Sequence, residues 1–149
     1  MEDKQLTKHF KLSEFTYSDT AIKKKLDNTP TDKEIENLKK LCEKVLEPIR
    51  LKWGGAIKVT SGYRSEIVNK AVNGSKTSAH LYGCAADIRS TDRTKNLDLW
   101  NLIRRMIDKG EIETDHIIWE KGKSIPQWIH VAIHCDKRPY MKNRIMYQK

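Results

Sequence analysis

The sequence has no apolar run near the roughly 20 residues that cross a bilayer. Its charged start, Met1-Glu2-Asp3-Lys4-Gln5, leads into no apolar segment of the kind that directs export. Neither a membrane span nor a cleaved leader is expected, and synthesis in the cytoplasm is. Cysteine is scarce: Cys42, Cys84 and Cys135 are an odd number, and no C-x-x-C occurs. That argues against a disulfide framework. Cys42 on a helical face and Cys84 in an apolar strand read as buried free thiols. Internal repeats, low-complexity runs and linker-like stretches are also missing, so the 149 residues are read as one domain, long enough for a hydrophobic core. Zinc-finger spacing and the aromatic motif of RNA-recognition domains are absent.

What is present is a balanced, basic chain. Hydrophobic residues make up 38% and charged residues 33%, a globular rather than a disordered composition. Twenty-nine basic and 20 acidic residues give a formal charge of +9. Such a surface attracts polyanions such as nucleic acid, anionic membranes or the phosphate-rich bacterial wall. It also serves simply to keep a protein in solution. Five of the positive charges (Lys137, Arg138, Lys142, Arg144 and Lys149) fall in a tail over 136–149, behind a core expected over about 10–135.

Local patterns indicate an α+β chain. Phe10 to Phe15 spaces apolar groups for docking onto a core, and a turn-rich stretch ends in Asn28-Thr29-Pro30. Thr31 to Glu34 forms a capping box. Behind it Ile35, Leu38, Leu41, Cys42, Val45, Leu46 and Ile49 recur at helical spacing, with a kink or restart near Pro48 and an end at Gly54-Gly55. Ile57 to Thr60 alternates as a strand does. Ser65 caps a short helix to Val72. Cys84 to Ile88 suits a buried strand, and 92–109 a second long helix closed by Gly110. His116 to Glu120 and Trp128 to Ile133 read as a hairpin joined through Lys121–Gln127.

Three side chains form a candidate metal site. His80 and Asp87 flank a bend containing Gly83, and His130 lies on a distant strand. Two imidazoles and one carboxylate leave the fourth position of zinc open, as catalytic zinc sites do. Taken alone, five histidines in this chain need no metal to explain them. His134 is four residues past His130; along a strand that is about 13 Å, so it cannot reach the same ion and reads as a strand-end residue. His116 shares a strand face with Glu120, where both can line a cleft. His9 reads as surface.

The surrounding motifs carry more weight. Ser61-Gly62-Tyr63-Arg64-Ser65, then Asn69, Val72, Gly74, Ser75, Ser78-Ala79-His80, Gly83, Ala85-Ala86-Asp87 and finally Trp128-Ile129-His130-Val131 follow in one specific order. The chain, from about Phe10 to Ile133, resembles the family of zinc D-Ala-D-Ala carboxypeptidases and phage endolysins. That resemblance implies the Hedgehog/DD-peptidase fold, a mainly antiparallel sheet packed with helices in one domain. It implies zinc on His80, Asp87 and His130, and a zinc-activated water that hydrolyses peptide bonds of bacterial peptidoglycan. Arg64 would bind a substrate carboxylate or the developing oxyanion, with Tyr63 and Ser78 as further substrate contacts.

The chain departs from the family at one position. Many members place Glu or Asp three residues before the last zinc-binding His, and here that residue is Gln127, which cannot act as a base. Glu120, at the end of the preceding strand, is the replacement read from the hairpin, beside its reading as an exposed hairpin charge. The expected partner is a peptidoglycan peptide met by a monomer without specific nucleic acid or a membrane span, released to the wall by a phage holin-type route. Two rival readings stand beside it: a non-catalytic wall-binding module of the same fold, motivated by Gln127, and a nucleic-acid binder, motivated by the charge.

Overall fold

The structure, a computed structural model, describes residues 3–149. Met1 and Glu2, part of the charged start, lie outside the described residues. The chain opens with a small antiparallel ribbon, β1 (Gln5–Thr7) and β2 (Phe10–Lys11), that runs into helix α1 (Leu12–Thr16). Phe10 and Phe15 are fully buried with rings 6.1 Å apart, which is the docking role their spacing suggests. Helix α2 (Asp19–Lys24) follows, capped by the Ser18 hydroxyl, which accepts from Ala21 N at 3.2 Å.

The capping box forms: Thr31 N donates to Glu34 Oε1 at 3.2 Å and starts α3 (Asp32–Leu41). The helical path then continues to Trp53, with an irregularity just before Pro48. It widens into one π turn over Cys42–Leu46 before α4 (Glu47–Trp53). Proline lacks an N–H and crowds the carbonyl four residues earlier, here Lys44. A wider turn just before it absorbs both defects without ending the helix. Gly54, at φ +76°, closes the segment.

Helix α5 (Glu66–Ala71) begins at Ser65, as its cap predicts, and a 3₁₀ turn covers Ala79–Tyr82. The last helix, α6 (Asn96–Asp108), starts later than the expected residue 92, after a 3₁₀ turn at Arg93–Lys95. Its first residue explains the offset. The fully buried Asn96 accepts from Ser90 N at 2.9 Å and donates to the carbonyls of Pro126 and Gln127, both at 3.0 Å. One amide thereby ties the helix start to the strand before it and to a distant hairpin loop.

Among the described residues, five strands form the main sheet in the order β3-β4-β6-β5-β7: β3 (Ile57–Ser61), β4 (Ala85–Ser90), β5 (His116–Glu120), β6 (Trp128–Ala132) and β7 (Arg144–Gln148). All pairs are antiparallel except β5–β7, which is parallel, so the sheet is mixed with an antiparallel majority. The 136–149 segment, marked in the sequence by charge alone, thus supplies a strand of this sheet. Its alternation is short: Ile145 packs against the core, and the Tyr147 ring lies 5.8 Å from Trp119 and 5.5 Å from Trp100.

Period-two alternation divides the sheet into two faces. Ala86, Ile88, Ile117, Trp119, Ile129 and Val131 turn to one side and join one cluster with Leu99, Trp100, Ile103 and Met106 of α6 and with Leu38 to Ile49 of the α3–α4 segment. Complete burial of each such aliphatic side chain contributes about 1.5–3 kcal/mol. The opposite face carries the polar residues. Among the described residues, no helix is long and apolar enough to cross a membrane.

Candidate metal centre

The sheet register explains which side chains meet. Asp87 of β4 stands opposite His130 of β6, and His130 opposite Ile118 of β5; Glu120 pairs with Trp128. Directly opposed residues share a face, so these side chains line the floor of one pocket, with Met146 and Gln148 of β7 at its side. Arg64, Ser78 and His80 close it from the other elements, with Arg138 from the C-terminal segment.

His80 arrives from outside the sheet. Ser78 Oγ accepts from His80 N at 3.2 Å and starts the 3₁₀ turn that carries it. Gly83 ends that turn at φ +72°, where a Cβ would stand 2.5 Å from the Glu34 carbonyl oxygen. Gly62 is needed for a different reason: a Cβ there would come within 2.6 Å of the Phe15 backbone. Without a side chain it lies against α1 and presents its carbonyl to the buried His80, whose Nδ1 donates to it at 2.6 Å. Since a carbonyl only accepts, the proton is on Nδ1 and the Nε2 lone pair is free.

The ligand-capable atoms of His80, Asp87 and His130 all lie within 4.8 Å of one another. His80 Nε2 is 3.4 Å and His130 Nδ1 3.0 Å from the same carboxylate oxygen, Asp87 Oδ1. Burial raises the Asp87 pKa, but His80 and His130 outweigh it and hold the carboxyl well below its usual range. Burial pulls the His130 pKa down despite Asp87. An ionised carboxylate beside a buried, deprotonated imidazole is the protonation state a metal ligand set requires. Converging nitrogen and oxygen donors of this kind fit zinc, with a position left for water.

The neighbouring groups are arranged around this trio. His116 Nε2 lies 3.0 Å from His130 Nε2, and His116 Nδ1 2.6 Å from Asp115 Oδ2. Burial, with His130 adding, lowers the His116 pKa to about 4. Glu120 sits half-buried on the His130 face; burial, with Asp87 adding, raises its pKa above the ordinary value of 4.5. Arg64 donates from Nη2 to Ser78 Oγ at 3.2 Å, while its buried Nε has no acceptor among the described residues.

Other residues singled out in the sequence fall elsewhere. Gln127 is exposed and meets Glu120 only through its backbone N–H, which donates to the Glu120 carbonyl at 2.9 Å. Tyr63 is buried in the main core and lines a neighbouring cleft with Tyr17 and Ser61 instead of this pocket. His134 is exposed beyond the end of β6, 3.8 Å from Asp115 Oδ1 and outside the trio. His9, expected at the surface, is only a quarter exposed: its N and Nδ1 bond Glu47 at 2.6 and 2.8 Å. All three cysteines are buried and free. The pocket residue Arg138, and Asp115 behind His116, carry no site signal in the sequence pattern. Arg138 reads only as tail charge, and Asp115 only as an acid directly before a strand-face His.

Compared with known families, residues 8–131 match the sequence model of Peptidase M15. No curated protein matches the chain.

Proposed function

The chain belongs to the Peptidase M15 family, and from that premise we propose that it is a zinc peptidase hydrolysing peptide bonds in the stem peptides of bacterial peptidoglycan. The reaction is of the D-Ala-D-Ala carboxypeptidase or endopeptidase type. The observation that carries the reading is the convergence of His80, Asp87 and His130 on one point at the floor of a pocket. These three residues would hold the metal. Zinc, when bound, polarises a carbonyl oxygen and makes water a nucleophile near neutral pH.

The remaining work falls to the chain itself. Glu120 takes the proton of the attacking water and delivers it to the leaving amine nitrogen. Its half-buried position, which raises its pKa, suits a carboxylate that must bind a proton and release it again. Arg64, held by Ser78, presents a guanidinium to a substrate carboxylate or to the negative charge developing on the carbonyl oxygen. Synthesis in the cytoplasm and release through a holin-type pore complete this reading as a phage-style lysis enzyme.

The test combines metal analysis with digestion of purified peptidoglycan. We expect one zinc per chain and new amine and carboxyl ends, identified by mass spectrometry, that disappear with a chelator and return with zinc. Intact sacculi in the presence of zinc-loaded protein would overturn the peptidase reading. Such a result favours the second reading, a wall-binding module of the same fold. The observation behind that alternative is Gln127: it occupies the place of the usual family carboxylate and points into solvent.

A further inference from the structure

Behind His130 stand two buried side chains that the proposed chemistry does not use, Asp115 and His116. Asp115 and His116 are each 3% exposed, and His116 lies nearly parallel to His130, with ring centroids 5.0 Å apart and planes at 17°. Asp115 is itself held in place: its Oδ1 accepts from Met141 N at 2.9 Å and its N donates to the Ala132 carbonyl at 2.8 Å.

With His116 neutral, hydrogen-bond accounting from Asp115 to His130 puts a proton on His130 Nε2. A carboxylate can only accept, so the 2.6 Å contact to Asp115 Oδ2 puts the proton of neutral His116 on Nδ1. His116 Nε2 is then an acceptor. Across the 3.0 Å gap between the two Nε2 atoms, the donor must be His130. His130 Nδ1 faces Asp87 Oδ1 at 3.0 Å; that carboxylate also only accepts, so a metal held by both atoms would take the place of any proton on Nδ1 while Nε2 keeps its own. We infer that Asp115 and His116 are positioning residues that set the tautomer and ring orientation of His130, keeping Nδ1 available as a metal ligand. The inference rests on the zinc reading above.

The two imidazoles of the trio are therefore oriented from outside by different means. His80 gives its second N–H to a backbone carbonyl, that of Gly62. His130 gives its own to a side chain, which a carboxylate in turn orients. Outer partners of this kind typically change metal affinity about 10–100-fold when removed. The backbone partner cannot be mutated away, whereas the side-chain relay can, which makes the second imidazole the testable one.

The tautomer can be read without metal. Nitrogen–proton correlation spectra of ¹⁵N-labelled, zinc-free wild type should show His130 protonated on Nε2. Competition with a chromogenic chelator then measures zinc affinity directly. His116→Phe keeps a buried ring but offers no acceptor, and should weaken zinc binding about 10–100-fold. His116→Gln, whose side-chain carbonyl can accept from His130 Nε2–H, should recover most of that loss. A wild-type His130 protonated on Nδ1 alone, or zinc affinity in His116→Phe equal to wild type, overturns the inference. Failure of wild type to bind zinc while His130 carries its proton on Nε2 would instead sink the metal reading and leave the tautomer assignment standing. Should His116→Phe not fold, the wild-type spectrum alone decides.

Discussion

The two faces of the main sheet are made by the same strands and do opposite things. On β6, Ile129 and Val131 enter the helical core while Trp128 and His130 enter the pocket; on β5, Ile117 and Trp119 alternate with His116, Ile118 and Glu120. Both faces are shielded from water: Ile129 is 0% exposed and His130 only 7%. On the apolar face that shielding is favourable in itself, at about 25 cal/mol per Å². On the polar face it costs free energy unless each group finds a partner. The histidines here, His80, His116 and His130, are therefore linked to one another or to Asp87, Asp115 and Gly62. One face stabilises the scaffold, and the other uses its rigidity to hold groups that would not stay together in water.

The separation can be broken most sharply by mutating neighbours. His130→Ala should abolish zinc binding and lower peptidoglycan hydrolysis by at least about 10³-fold, about 4 kcal/mol of barrier, read by metal analysis and fragment release. Ile129→Ala, one residue away on the other face, should keep zinc but cost about 2–5 kcal/mol in denaturant unfolding. Equal loss of zinc in both variants would mean the faces are not independent. Within the polar face, Glu120→Gln should reduce turnover about 10²–10⁴-fold with zinc content unchanged; a much smaller loss would move the base elsewhere.

A pH profile sharpens the same point. A base must be ionised, so kcat/KM should fall as pH drops through the Glu120 pKa, and the acid limb should lie above the ordinary glutamate value of 4.5. Stability runs the other way. With its folded pKa raised, this carboxyl contributes stability that is fully present below the unfolded value and lost as pH rises through the folded one. An acid limb at or below 4.5 would detach it from catalysis. The smallest effect is expected from Gln127→Glu, because residue 127 faces solvent. Such surface changes stay within about 0.5 kcal/mol, and turnover should barely move. A large gain would return the proton transfer to the usual family position.

Helix α3 was legible because its signals are local: a capping box followed by apolar residues at one spacing. The trio was legible through ordered motifs, since the separations of His80, Asp87 and His130 along the chain say nothing by themselves about their meeting. The pairing of β4 with β6 that joins Asp87 to His130 is a long-range contact, and no neighbouring residue announces it. Strand β7 was hidden because Lys142, Arg144 and Lys149 mask a brief alternation. Asp115 was overlooked because a lone acid at a strand start usually faces water. Only the tertiary fold buries it, by laying Met141 N against its carboxylate.

The parallel seam between β5 and β7 has a practical side. Residues 144–148 lie past the region that matches the family, yet they cover the outer border of β5 and place Met146 and Gln148 beside the pocket. A version trimmed at the family boundary would bare a row of unpaired amides, the template for sticking to other chains, and would open the cavity on that flank. Expression work that treats the last residues as dispensable would be studying a stickier protein with a wider mouth.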